Sequence, residues 1–226
     1  MSNAAQHSLD WYRCRLGKIT GSRVGVIMGK GKGTEFTKTG ITYLNSVAAE
    51  QMLPAPVVEN DELFAIYLEE MDSTSKAMRI GTERESEARD LYEQIMDCKV
   101  HETGCTDSSF VKGFASSPDG LVLEDGVVEG TIEIKCPKPS TYLEYLSEIK
   151  DADSLLSVNP EYYWQCMSHI AVSSARWCDF ITYCPYNRDP IHIVRIKRDE
   201  DAIKKLHDRA QSAISYVQDK INGINN

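Results

Sequence analysis

No stretch of this chain approaches the ~18 to 20 consecutive apolar residues of a membrane span, and residues 1–10 have neither the basic head nor the apolar core of an export signal. Membrane insertion and secretion are therefore not expected. No CxxC pair is present: the seven cysteines, at 14, 98, 105, 136, 166, 178 and 184, are odd in number and scattered, and no histidine stands at zinc-finger spacing from them. That argues against a disulfide scaffold or zinc finger and points to reduced thiols in a cytoplasm. Internal repeats and low-complexity tracts are missing too. Basic residues are short, 25 Lys and Arg against 34 Asp and Glu for a net charge of −9, which taken alone argues against a nucleic-acid partner.

What is present is an ordinary globular composition, 42% hydrophobic and 26% charged over 226 residues, enough for one domain with one sizeable core. The charge is segregated. Residues 12–38 hold seven basic side chains (Arg13, Arg15, Lys18, Arg23, Lys30, Lys32, Lys38) against Glu35 alone, whereas residues 59–125 hold seventeen acidic and six basic.

The pattern predicts a short helix over Asp10–Gly17 and a second through Met28, capped near Thr20-Gly21-Ser22. Gly29–Thr34 reads as a mobile basic loop, because it lacks the spacing of a phosphate-binding loop and no apolar strand precedes it. Helices are expected over Thr39–Leu53, broken by Pro54-Ala55-Pro56, over Asp61–Met71, and over Ser75–Asp97, where Ala77, Gly81, Glu85, Ala88, Tyr92 and Ile95 form one stripe. Glu85 is an anomaly on that stripe, since an unpaired buried carboxylate is costly. Four short alternating segments follow, Lys99–Cys105, Phe110–Ala115, Gly120–Glu124 and Thr131–Cys136, read as an antiparallel meander. Helices over Ser140–Lys150 and Glu161–Ser173, strands over Trp177–Tyr183 and Ile191–Ile196, and a closing helix over 199–223 complete an α/β or α+β sheet covered on both faces.

The chemistry gathers around Ser117-Pro118-Asp119-Gly120-Leu121 and Glu133-Ile134-Lys135. In a strand, Glu133 and Lys135 project from one face while Ile134 enters the core on the other. Asp119, at the head of a neighbouring strand, is placed to join them. Two carboxylates and an ammonium suit a hard divalent cation and an attacking water. Phosphodiester hydrolysis needs such help, because an anionic nucleophile must approach an anionic centre. An ExK tripeptide alone arises about once by chance in a chain of this composition. Glu148-Ile149-Lys150 is the internal control: the same tripeptide in a predicted helix, without Pro-Asp upstream, read as an exposed face.

Asp119, Glu133 and Lys135 resemble the motif of the PD-(D/E)XK nucleases, and their surroundings resemble the phage lambda exonuclease family of YqaJ-type recombination exonucleases. The shared motifs are WYRCRLGKITGS at 11–22, GTERESEARDLY at 81–92, SPDGL at 117–121, EIKCP at 133–137 and YWQ at 163–165. The resemblance implies a restriction-endonuclease-like α/β core, a central mixed β-sheet flanked by α-helices, in a single domain: a basic helical segment at about 8–38, a catalytic core at about 75–198 and the closing helix. It implies Asp119, Glu133, Glu85 and the Ile134 carbonyl as metal ligands, Lys135 as catalytic lysine, Gln165 near the attacking water, and Arg15, Ser22 and Ser117 as a 5′-phosphate pocket. A guanidinium binds a terminal phosphate in bidentate fashion, so the chemistry agrees. It further implies a Mg²⁺-dependent 5′-to-3′ exonuclease on linear double-stranded DNA, with two ions (Mn²⁺ substituting), a ring-shaped homotrimer, a single-strand annealing protein as partner, and a phage or prophage origin in a bacterial cytoplasm. One departure is the segment Gln51–Ala77, longer than its counterpart, which bears on subunit contacts more than on chemistry.

Other readings remain at this level. A restriction- or repair-type endonuclease would share the metal core, and an idle DNA-end-binding module would share the pocket. Cys14 with Cys166, Cys178 and Cys184 matches an iron–sulfur pattern poorly, the last three being too widely spaced. Gln165, flanked by Tyr162, Tyr163 and Trp164, can equally be a helix-surface residue of an aromatic packing layer, and His7, His101, His169, His192 and His207 read as structural or exposed.

Overall fold

In the computed structural model, which describes residues 5–71 and 76–225, the chain packs into two compact units. The first comprises the segment through residue 71, Thr103–Ser117 and the segment from Glu200 onward; the second comprises residues 76–102 and Pro118–Asp199. No helix among the described residues is long and apolar enough to cross a membrane.

In the first unit, Ser8 caps helix α1 (Leu9–Arg15) by accepting from the Trp11 amide, and Gly17, at φ +67°, turns the chain out of it. Strand β1 (Ile19–Thr20), a 3₁₀ turn over Gly21–Arg23 and helix α2 (Gly25–Met28) follow. Thr37 caps α3 (Lys38–Gln51). Pro54-Ala55-Pro56 does end that helix, but it also opens another, α4 (Ala55–Glu59), because a proline in the first turn has no N–H to lose. Helix α5 (Asp61–Met71) keeps its expected bounds; residues 72–75, at the end of the long 51–77 segment, lie outside the described residues.

Helix α6 (Lys76–Met96) begins the second unit, and the side chains of Ala77 and Gly81 lie outside the described residues. Ala88 and Tyr92 are buried as the stripe requires, but Ile95 is exposed; Leu91 packs against the core instead.

The expected meander divides between two sheets. Strand β2 (Val100–His101) is only two residues long, and β3 (Thr106–Asp107) pairs antiparallel with β4 (Phe114–Ser116), which pairs parallel with β1 in a three-stranded sheet of the first unit. Residues 110–113 are a turn and not a strand: Ser108 Oγ accepts from the amides of Phe110 and Val111, and Gly113 has φ +87°. Pro118, lacking an N–H, cannot extend the β4 ladder, and the next amide, Asp119, donates to Ile132 O at 3.1 Å. The Ser-Pro-Asp-Gly phrase is thus where the chain leaves one sheet for the other.

The second unit's sheet has the order β2-β5-β6-β7-β8, with β5 (Gly120–Glu124), β6 (Val127–Lys135), β7 (Trp177–Tyr183) and β8 (Ile191–Lys197). Only β6 and β7 run parallel, joined through helices α7 (Pro139–Glu148), α8 (Ala152–Val158) and α9 (Pro160–Ser173). Ile132 and Ile134 pack with Ala88 and Tyr92 of α6 and with Ile181 and Tyr183. Glu133, pointing the other way, meets α9. Helices therefore cover both faces. Helix α10 (Glu200–Asn225) belongs to the first unit, packed on α3.

Candidate active site

Strand β6 places Glu133 and Lys135 on one face, as period two requires, with Glu133 fully buried. Lys135 Nζ forms an ion pair with Glu133 Oε1, and His169 Nε2 lies 2.7 Å from Oε2. The ammonium also sits 5.1 Å from the centre of the Tyr162 ring. Asp119 Oδ2 accepts from the Ile134 amide at 2.7 Å, so the head of β5 is tied to the middle of the Glu-Ile-Lys triplet. From α6, Glu85 comes near enough for its charge to be felt by Asp119 and Cys136.

These charges conflict. Burial and the Glu133 carboxylate push Asp119 well above the usual carboxylate range, against the pull of Lys135 and the Ile134 amide. Burial and Glu133 raise Glu85 as well. Burial would raise Glu133 too, but Lys135 and the His169 bond outweigh it and hold it low. Burial disfavours the Lys135 ammonium, yet Glu133 and Asp119 more than compensate, and its pKa is raised. Lys135 is thus a fixed cation here. Glu133 and Lys135 resist the burden of burial as a pair, leaving Asp119 and Glu85 in excess of positive charge.

Among the described residues no three His, Cys, Asp or Glu side chains converge as a finished ion cage. Both oxygens of Glu133 are occupied by donors, Oε1 by Lys135 and Oε2 by His169. The donor set itself fits a divalent cation: three carboxylates whose mutual repulsion a cation relieves, with hard oxygens throughout.

Gln165 is buried, in the first half of α9, between Trp164 and Cys166. His169 follows it by one helical turn, on the same face. Sequence reasoning grouped His169 with the structural or exposed histidines; its i,i+4 spacing from Gln165 was the available signal. The control tripeptide behaves as a surface feature in its charged members, Glu148 and Lys150 being exposed at the end of α7, although Ile149 is buried. All seven cysteines are free thiols.

In the first unit, Arg15, Ser22 and Ser117 belong to one cluster built around Trp11. Arg15 Nη2 donates to Ser22 Oγ at 2.9 Å, the guanidinium stacks 4.3 Å from the Trp11 ring, and Trp11 Nε1 donates to Ser117 Oγ at 2.9 Å. Burial lowers the Arg15 pKa, and no carboxylate among the described residues lies at ion-pair distance from it. A cation so placed favours an incoming anion.

The YqaJ-like viral recombinase domain family matches residues 10–176. Among solved structures, LHK-Exo, an alkaline exonuclease from Laribacter hongkongensis, is 28% identical with a TM-score of 0.77, and 96% of each chain is covered. The same exonuclease in complex with dAMP gives 27% identity, the same coverage and a TM-score of 0.77. A phage-related exonuclease from Haemophilus somnus 129PT, 16% identical, has a TM-score of 0.64 over 92% of this chain and 96% of its own, a likeness of fold. Comparison with curated proteins finds no match. The mixed sheet flanked by helices is accordingly the restriction-endonuclease-like architecture. Every residue placed in the two clusters above falls within residues 10–176, and the chain belongs to the YqaJ-like viral recombinase domain family.

Proposed function

We propose that this protein is a Mg²⁺-dependent exonuclease that digests the 5′-ended strand of linear duplex DNA, leaving 3′ single strands for recombination by strand annealing. The observation that carries the reading is the gathering of Asp119, Glu133 and Lys135 about the end of β6, with Glu85 in electrostatic range, in a chain similar over 96% of its length to an alkaline exonuclease.

Asp119, Glu133, Glu85 and the Ile134 carbonyl are the groups that would hold divalent cations, two by this reading, with Mn²⁺ as a substitute. Bound there, the metal supplies neutralisation of the phosphate charge and acidification of a water. The protein's own residues do the rest. Lys135, kept protonated by its carboxylate neighbours, orients the attacking water by hydrogen bonding from Nζ and stabilises negative charge growing on the phosphoryl oxygens. Gln165 holds that water through its side-chain amide. Arg15, with the hydroxyls of Ser22 and Ser117, grips the terminal 5′-phosphate and so selects ends over internal positions. Three copies form a ring around the duplex, and a single-strand annealing protein takes up the product.

Digestion of end-labelled linear duplex, with 5′-phosphate or 5′-hydroxyl ends and with or without Mg²⁺, tests the reading. Release of nucleotides from 5′ ends only in Mg²⁺, faster from phosphorylated ends, is expected, with covalently closed circles left intact. Cutting of closed circles, or degradation from 3′ ends, would overturn it.

A further inference from the structure

One buried polar contact at the catalytic cluster has no part in the mechanism above. His169 and Glu133 are each 1% exposed, and Nε2 of the one lies 2.7 Å from Oε2 of the other. A carboxylate oxygen accepts, so at this distance the bond is donated by the ring Nε2–H. The opposite oxygen, Oε1, is held by Lys135. The two donors differ in how readily they let go. Lys135 ends a flexible four-carbon stem whose side chain is 26% exposed, and its ammonium can exchange Glu133 for water or substrate. His169 is a rigid ring in the closed interior of α9, its backbone carbonyl further tied by Ser173 Oγ at 2.5 Å. A cation that takes an oxygen of Glu133 therefore competes on unequal terms for the two.

We propose that His169 is a positioning residue for the metal: it pins Oε2 of Glu133 and so presents Oε1, the oxygen that Lys135 now covers, to a divalent cation. The proposal rests on the reading of Glu133 as a metal ligand. Release of Lys135 from Oε1 also frees its ammonium for the water it is assigned to orient, so one hydrogen bond from His169 serves both groups.

The test is Mn²⁺ binding to the DNA-free protein by titration calorimetry, together with the Mg²⁺ concentration for half-maximal digestion of linear duplex. His169→Leu removes the donor, while His169→Gln keeps an N–H at similar reach. Loss of a hydrogen bond that orients a ligand weakens metal affinity by about 10- to 100-fold, and that loss is expected in His169→Leu, with His169→Gln within about threefold of the wild type. Should His169→Leu not fold, His169→Asn replaces it: the same amide, one methylene too short to reach Oε2, is expected to bind as weakly. Unchanged Mn²⁺ affinity in the donor-free or shortened variant, or a glutamine variant as weak as they are, would overturn the proposal while leaving the nuclease reading intact. A wild-type protein that binds no Mn²⁺ and digests no duplex would overturn both.

Discussion

Asp119 is held against its electrostatic preference. Burial and the neighbouring Glu133 raise its pKa in the folded protein, so without metal the folded state takes up a proton more readily than the unfolded chain does. Stability therefore falls as pH rises from the ordinary carboxylate range through the raised value, and above it the penalty is present in full. Asp119→Asn keeps an oxygen to accept the Ile134 amide and removes the charge. In chelator at neutral pH it is expected to stabilise the protein by about 1 kcal/mol, the size of change common when functional strain is relieved, read by thermal unfolding. The same variant is expected to lose at least about a hundredfold in exonuclease rate. A variant both less stable and fully active would refute this assignment. Glu133 and Lys135 were legible in the sequence because a strand's period of two is strict. His169 was not, because its one sequence signal, the i,i+4 spacing from Gln165, does not reveal that its helix docks on the strand bearing Glu133.

Between β6 and β7 a different device operates. Gly130 stands opposite Trp177 in the parallel ladder, and a Cβ there would run into the indole ring. That ring carries the Arg195 guanidinium at 3.8 Å, Arg195 forks onto both oxygens of buried Asp179 at 2.8 Å, and Tyr92 donates to Asp179 at 2.7 Å. Displacing the indole therefore strains the ion pair of buried Asp179 with Arg195, which with Tyr92 joins β7, β8 and α6. Gly130→Ala is expected to cost about 1 to 3 kcal/mol in urea unfolding, the range for overpacking. Gly223→Ala, in α10 with open space around it, is the control and is expected to be neutral or stabilising by up to about 1 kcal/mol. Long periodic elements such as α5, α9 and β7 were readable within a residue or two. Helix α8 was missed, although Asp151 and Ser154 form a reciprocal capping box at its start, because seven residues carry too little periodicity. The two-residue strands β1 and β3 were unreadable for a related reason: they exist only through their pairing with β4.

For the molecule as a whole, the charge of −9 conceals how few cations remain available. Within the basic stretch, Arg13 is taken by Asp61 and Asp10, and Lys18 by Asp107. Arg15, Arg23, Lys30, Lys32 and Lys38 form no ion pair among the described residues. A footprint of some three to five phosphates follows, and duplex-end affinity is expected to fall on the order of a hundredfold between about 50 and 200 mM salt, measured by fluorescence anisotropy. A salt-independent affinity would contradict it.

The Gly29–Thr34 loop, read from sequence as merely mobile, is tied at both ends by one residue of the closing helix: Arg209 donates to the carbonyls of Ile27, Gly29 and Glu35. That dependence sets an order of events during synthesis. Every segment of the second unit has been translated by Asp199, but the first unit lacks α10 until residues beyond Glu200 emerge. Pairing within the five-stranded sheet can therefore begin on a nascent chain before Arg209 is available to the carbonyls of Ile27, Gly29 and Glu35, and the loop is the later of the two to be fixed.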